Sequence, residues 1–335
     1  MSGREDKVYL SHHIVRPVML AAFALLAGCA TQVPPTVNVA LAAYEAELGF
    51  AAGDAVAIAW LADAALQAPG LLAGPANLAA GAGDVELAVF AMASPTAAED
   101  REPRGTVIFV HGYMARAESS LPAIRALAEG GWLVLAPDLP GHGRSGGDPL
   151  DIDSFDDYGR ALSRVVGAAS AAGLPRPLAL VGHSLGGAVI LSYLEEGGCR
   201  ADAALLLAPL LRIRAHAPAS IGAAVAGLFS DELPGGARRG WFRAYRAWAS
   251  RPHARLLVQA LSAPDAPRLG FLLMGRDEAL SNAASARLGR SLAGLAAWGG
   301  LSTLSGLGHW ELDKADADPQ LWAALLDSLG ELTER

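Results

Sequence analysis

From residue 84 onward the chain alternates between short runs, most of them largely apolar, and longer segments with helical spacing. DVELAVFAM (84–92), GTVIFV (105–110), WLVLAP (132–137), PLALVG (177–182), AALLLAP (203–209), RLGFLLMG (268–275) and LSTLSG (301–306) predict strands. Between most of them, LPAIRALAEGG (121–131), SFDDYGRALSRVVGAASAAG (154–173), GAVILSYLEEGG (187–198) and SNAASARLGRSLAGLAAWGG (281–300) predict helices. Strands that are apolar along their whole length are buried on both faces. Their alternation with helices predicts an α/β domain over 84–335, a mostly parallel sheet covered on both sides. The rhythm breaks from about 210 to 260, where no strand is predicted and arginine and tryptophan accumulate. That stretch is expected to be a helical cap inserted into the domain.

The first 83 residues pattern differently. After Arg4, Lys7 and Arg16 comes the apolar run VMLAAFALLAG (18–28), then Cys29. A core of that length suits a signal peptide and falls short of the ~20 residues a spanning helix needs. The ending LAGC, Leu26 to Cys29, resembles the bacterial lipobox, against an ordinary secretory signal as the plainer reading. The resemblance implies removal of residues 1–28 and lipidation of Cys29. With Ala30 next, and no Asp there, likeness to Gram-negative lipoproteins implies the outer membrane, facing the periplasm. TQVPPT (31–36) reads as a tether, because adjacent prolines block regular pairing. The Ala-rich residues 38–67 are expected to form two helices, and a Gly/Pro/Ala-rich passage runs on to Gly83, so 29–83 is set apart as an N-terminal segment.

Composition narrows the classes. With 52% hydrophobic and 18% charged residues the chain suits a packed core. Its net charge of −8 argues against a nucleic-acid partner. No repeat, P-loop or His-Glu-x-x-His motif occurs. Of the two cysteines, a lipidated Cys29 would leave Cys199 without a partner, so no structural disulfide is expected.

Two stretches fit Gly-x-Ser-x-Gly, GRSGG (143–147) and GHSLG (182–186). Glycine is common enough here, 38 of 335 residues, for one match to be accidental. Ser145 lies in DLPGHGRSGGDPLDIDS, whose prolines and glycines predict a loop with no helix directly behind it. Ser184 sits between the apolar strand PLALV and the helix AVILSYLEE. A nucleophile elbow needs that tight strand-to-helix turn, and the helix N-terminus behind it favours developing negative charge. Ser184 is therefore the candidate nucleophile.

The pieces GTVIFVHGY, LAPDLPGHGRSGG, LVGHSLGGA, LLMGRD and LGHWELD, in that order, resemble the α/β-hydrolase superfamily over about 84–330. The likeness is strongest to the branch of monoacylglycerol lipases and lysophospholipase-like esterases. In that family the GHGxS stretch is a loop after an early strand. The resemblance implies His309, in a glycine-flanked loop after the last strand, as the base that takes the Ser184 proton. Asp277, two residues past FLLMG, comes between nucleophile and base in chain order and is the expected acid. Glu278 beside it is the rival, and Asp313 follows the base and reads as a helix-start or supporting residue. Backbone amides of Leu185 and Tyr113 are the expected oxyanion donors. The Tyr113 ring, larger than the residue often found there, either narrows an acyl pocket or packs under the cap.

These roles imply ester hydrolysis through an acyl-enzyme, lipid-derived esters included, with no metal or organic cofactor. A peptidase or amidase of the same fold is the enzyme alternative, and a catalytically silent binding fold is the rival from another class. Trp241, Tyr245 and Trp248 recur at i, i+4 and i+7 within the cap, one face of a helix. They read either as packing onto the body or as a lid over an acyl pocket, with the cap arginines as a solvated face or as attraction to anionic lipid.

Overall fold

The computed structural model describes residues 58–61, 85, 87–92, 103–198, 200–214, 238–314 and 316–334. Cys29, the signal-like run and the tether lie outside these residues, as does the cap between 214 and 238. The described strands form one eight-stranded sheet: β1 (Ile58–Leu61), β2 (Leu87–Met92), β3 (Thr106–Val110), β4 (Leu133–Pro137), β5 (Leu178–His183), β6 (Ala203–Leu207), β7 (Arg268–Met274) and β8 (Trp298–Leu304). Their order is β1-β2-β4-β3-β5-β6-β7-β8. β1 and β2 pair antiparallel with their neighbours, and every pair from β4 to β8 is parallel.

Side-chain alternation along the central strands divides the core into two layers. On β3, Ile108 and Val110 join one apolar cluster while Val107 and Phe109 join the other. The first layer packs α2 (Asp156–Ala171), α3 (Leu185–Glu195), α4 (Arg239–Ala249), α5 (His253–Leu261) and α6 (Asn282–Leu292). The second packs α1 (Leu121–Glu129) and α7 (Pro319–Thr333), whose Leu321, Leu325 and Leu329 are fully buried. Burying a leucine contributes about 1.5–3 kcal/mol, so the i, i+4, i+8 stripe of α7 fixes that helix firmly.

The structure corrects the sequence reading in three places. Residues 58–61, expected to be helical within 38–67, form strand β1; the run IAWL finds backbone partners along β2 from Leu87 to Phe90, and edge pairing prevails over local propensity. Helix α6 stops at Leu292, and Trp298–Gly300, expected at its end, open β8 instead. The sequence reading also passed over α7, although Asp318 caps it by accepting from the Gln320 amide and Pro319 takes its first position.

The described part of the cap is helical. Trp241, Tyr245 and Trp248 of α4 are buried against the body, whereas Arg243 and Arg246 on the same helix are exposed. The packing reading of the stripe holds for these residues. Arg251 is no free surface charge: its guanidinium donates twice to Asp156 at the start of α2 (2.6 and 2.5 Å). Ser192 of α3 donates to the same carboxylate, so the α4–α5 turn is tied to two helices of the body.

Candidate active site

Ser184 stands between the last residue of β5 and the first of α3, at φ 53° and ψ −112°. A side chain other than glycine at positive φ carries roughly 1–3 kcal/mol of strain, which surrounding packing must offset. Here the packing needs two glycines. A Cβ on Gly186 would overlap the Val110 carbonyl, and one on Gly182 would lie 2.5 Å from the Gly186 carbonyl carbon. The turn can be this tight only because both positions lack side chains. α3 is apolar all round, with residues 185–194 buried, so its N-terminus is held against the sheet edge.

His309 opens a 3-10 turn (His309–Asp313) that follows β8, and Asp277 lies just beyond β7. The structure brings the three expected side chains together. Ser184 Oγ is 3.0 Å from His309 Nε2, and His309 Nδ1 is 3.0 Å from Asp277 Oδ2. His309 and Asp277 are each 1% exposed, and Ser184 is 8% exposed. With Nδ1 protonated and donating to Asp277, Nε2 is the acceptor facing the serine hydroxyl. Burial pushes the Asp277 carboxyl up, but the hydrogen bond and charge of His309, with the Leu280 and Ala279 amides on Oδ1 (2.6 and 2.9 Å), outweigh it and hold the group below the usual carboxylate range. An ionised acid is what an imidazolium would need beside it.

The rival acid has a different place. Glu278 accepts from the His309 backbone amide (3.2 Å) and not from the ring. Asp313 ends the turn that His309 begins and starts no helix. Ser145 is a loop residue as expected: its hydroxyl donates to the Asp138 carbonyl (2.7 Å) and accepts from the Ala88 amide (2.9 Å). It staples the 138–145 loop to β2, and both hydrogen bonds of its hydroxyl go to backbone groups.

Two groups beside the site were not foreseen as supports. His183 donates through Nε2 to the His309 carbonyl (3.0 Å), with ring centroids 4.9 Å apart. Burial and the nearby His309 push it down to about 3, so it stays neutral and holds the base from behind. Arg214 donates through Nη1 to the Asp277 carbonyl (2.5 Å), and its amide donates to the Ala279 carbonyl (3.0 Å). The alternation LRIR at 211–214 was the only sequence hint that this stretch is extended.

Leu185 is the first residue of α3, so its amide has no intrahelical partner. The His111-Gly112-Tyr113 loop runs alongside the serine: a Cβ on Gly112 would sit 3.5 Å from Ser184 Cβ. His111 holds that loop, accepting from the Leu139 amide (3.0 Å) while its Nδ1 donates to the Gly112 carbonyl (2.7 Å). The Tyr113 ring packs under the cap, stacked on Trp241 with centroids 4.0 Å apart. Burial pushes its phenol up to about 12, so it is neutral at any working pH. Chemically, the arrangement can deprotonate a serine hydroxyl and hold charge developing at an α-helix N-terminus. Among the described residues no group of three or more His, Cys, Asp or Glu side chains is placed to hold a metal ion.

Several known proteins are similar to this chain. The family model described as serine aminopeptidase, S33, matches residues 101–296. The chain is 33% identical over 94 residues to a monoacylglycerol lipase of Mycolicibacterium smegmatis, 28% of this chain and 34% of that protein. It spans about a third of the length of the curated relatives it matches. Among solved structures, the monoglyceride lipase of Saccharomyces cerevisiae in complex with a substrate analogue is similar at a TM-score of 0.60 and 15% identity, over 76% of this chain and 94% of that one. Est1E of Butyrivibrio proteoclasticus, with ferulic acid bound, is similar at 0.56 and 18%, over 74% and 96%. These likenesses, with the sheet order, establish the α/β-hydrolase fold.

Proposed function

The chain belongs to the serine aminopeptidase S33 family, and on that premise we propose that it hydrolyses carboxylic esters, lipid-derived esters included, through Ser184, His309 and Asp277. The observation that supports this most is the pair of 3.0 Å contacts linking hydroxyl, imidazole and carboxylate at a strained strand-to-helix turn. His309 takes the Ser184 proton as Oγ attacks the ester carbonyl. The Leu185 and Tyr113 amides receive the oxyanion, and His309 returns the proton to the departing alcohol. Water, deprotonated by the same imidazole, then attacks the acyl-enzyme and releases the acid and Ser184. The names of the mycobacterial and yeast relatives favour a monoacylglycerol or another lipid ester as substrate. The family description favours a second reading, in which the same relay cleaves an N-terminal peptide bond.

In this reading Cys29 carries lipid and anchors the enzyme to the outer membrane, facing the periplasm; the run 18–28 followed by LAGC and Ala30 supports it. Incorporation of radiolabelled palmitate by the full chain, lost in Cys29→Ser, tests the anchor. The activity is tested with p-nitrophenyl esters from acetate to palmitate and amino-acid p-nitroanilides, each with Ser184→Ala alongside. Ester turnover that vanishes in the variant supports the proposal. Turnover of anilides alone replaces it with the peptidase, and no turnover with no covalent labelling of Ser184 sinks both.

A further inference from the structure

Helix α4 makes contacts on both sides of the candidate site. At its start, Trp241 stacks on Tyr113 with 27° between the rings, and the Arg238 amide donates to the Tyr113 hydroxyl (3.3 Å). That hydroxyl in turn donates to the Leu150 carbonyl (2.9 Å). Tyr113 is the residue whose amide is assigned to the oxyanion. One turn along α4, Tyr245 stacks on Trp241 (5.5 Å, 8°) and accepts from the Ile213 amide (3.3 Å). Ile213 forms an antiparallel bridge with Leu280, and Ser281 donates to the Arg212 carbonyl (2.9 Å). Arg214, next along, holds the carbonyl of Asp277 itself. A continuous line of contacts therefore runs from the oxyanion loop, through two buried rings of α4, to the acid loop.

We propose that α4 is a brace, with Trp241 and Tyr245 as positioning residues that fix the oxyanion loop and the acid loop relative to each other. The inference rests on the serine-hydrolase reading above. Its physical basis is that an oxyanion donor acts only at hydrogen-bond distance from where charge develops, so a shift of ~1 Å can lower the rate by about a hundredfold. The cap helix thereby acts on turnover and not solely on access. Tyr113 reports one end of the brace and Tyr245 the other, each through a single hydroxyl.

Tyr113→Phe, Tyr245→Phe and the double variant test it. The readouts are the rate of Ser184 modification by a fluorophosphonate probe, kcat and KM on the best p-nitrophenyl ester, and the thermal midpoint. Each single change is expected to lower kcat and the probe rate about 5- to 20-fold, with KM held within about twofold, because the loss falls on the transition state. The double variant should lose clearly less than the product of the two, since both changes disable one device. Trp241→Phe, which keeps a ring to stack, should retain more of the rate than Trp241→Leu. Single variants that match the wild type, losses that multiply, or losses confined to KM overturn the brace while the hydrolase reading stands. A wild-type chain that takes no probe at Ser184 overturns the hydrolase reading, and the brace with it.

Discussion

Three histidines packed around the candidate site make this fold sensitive to acid. His111, His142 and His183 are each no more than 2% exposed. Burial is the main cause that pushes them down, to about 4, about 3 and about 3; His111 adds to the effect on His142, and His309 to that on His183. In the unfolded chain each would titrate near ~6.5. As pH falls through that value the unfolded chain takes up protons that the fold refuses, so stability drops, and the loss grows until the folded values are reached. At pH 5 the difference comes to about 2 kcal/mol per histidine and roughly 6 kcal/mol for the three, against a total stability of about 5–15 kcal/mol for typical domains. Asp138 works in the opposite direction, because burial raises its carboxyl and the fold binds that proton first. A single variant separates the contributions. His142 Nδ1 donates to the Pro140 carbonyl (3.0 Å) and its buried Nε2 has no partner, so glutamine can keep the bond without the titration. Urea unfolding followed by circular dichroism at about pH 7.5 and about pH 5 should show the parent losing several kcal/mol, and His142→Gln losing about 2 kcal/mol less. Equal losses in parent and variant would refute the reasoning.

The acid assignment and the second serine give sharper contrasts. Asp277→Asn should lower kcat on the best ester about 10³- to 10⁴-fold, whereas Glu278→Gln, whose carboxylate accepts from the His309 amide and not from the ring, should cost less than about tenfold. A larger effect at Glu278 would reverse the two roles. Ser145→Ala strips a partner from the Ala88 amide and the Asp138 carbonyl, and should cost about 1–3 kcal/mol of stability in urea while Ser184 still takes a fluorophosphonate.

What could be read from the sequence was whatever depends on neighbours in the chain. PLALV, the glycine turn and AVILSYLEE adjoin, so the elbow at Ser184 was legible, and so was the loop that makes Ser145 a false match. Asp277 follows the apolar strand β7 and His309 follows β8, and β7 and β8 pair side by side in the sheet, which brings the two loops to one edge. The β1 strand was not legible, because four residues become a strand only by pairing with β2. Nor was the place of Arg214, since its hold on the Asp277 carbonyl spans 63 positions of chain. Tyr113 was expected from the sequence only as a backbone donor; its hydroxyl bonds to Leu150 and Arg238, and its stacking on Trp241, arise from how the cap folds back. The support His183 gives to His309 is likewise a contact across 126 positions.

The central claim is that Ser184, and not Ser145, carries the covalent chemistry. Residues 30–335 treated with a fluorophosphonate, then digested and read by peptide mass spectrometry, test it directly. One adduct per chain on the peptide containing GHSLGG, absent from Ser184→Ala, is the predicted result. An adduct on the GRSGG peptide, or ester turnover that proceeds with no adduct on Ser184, would contradict it.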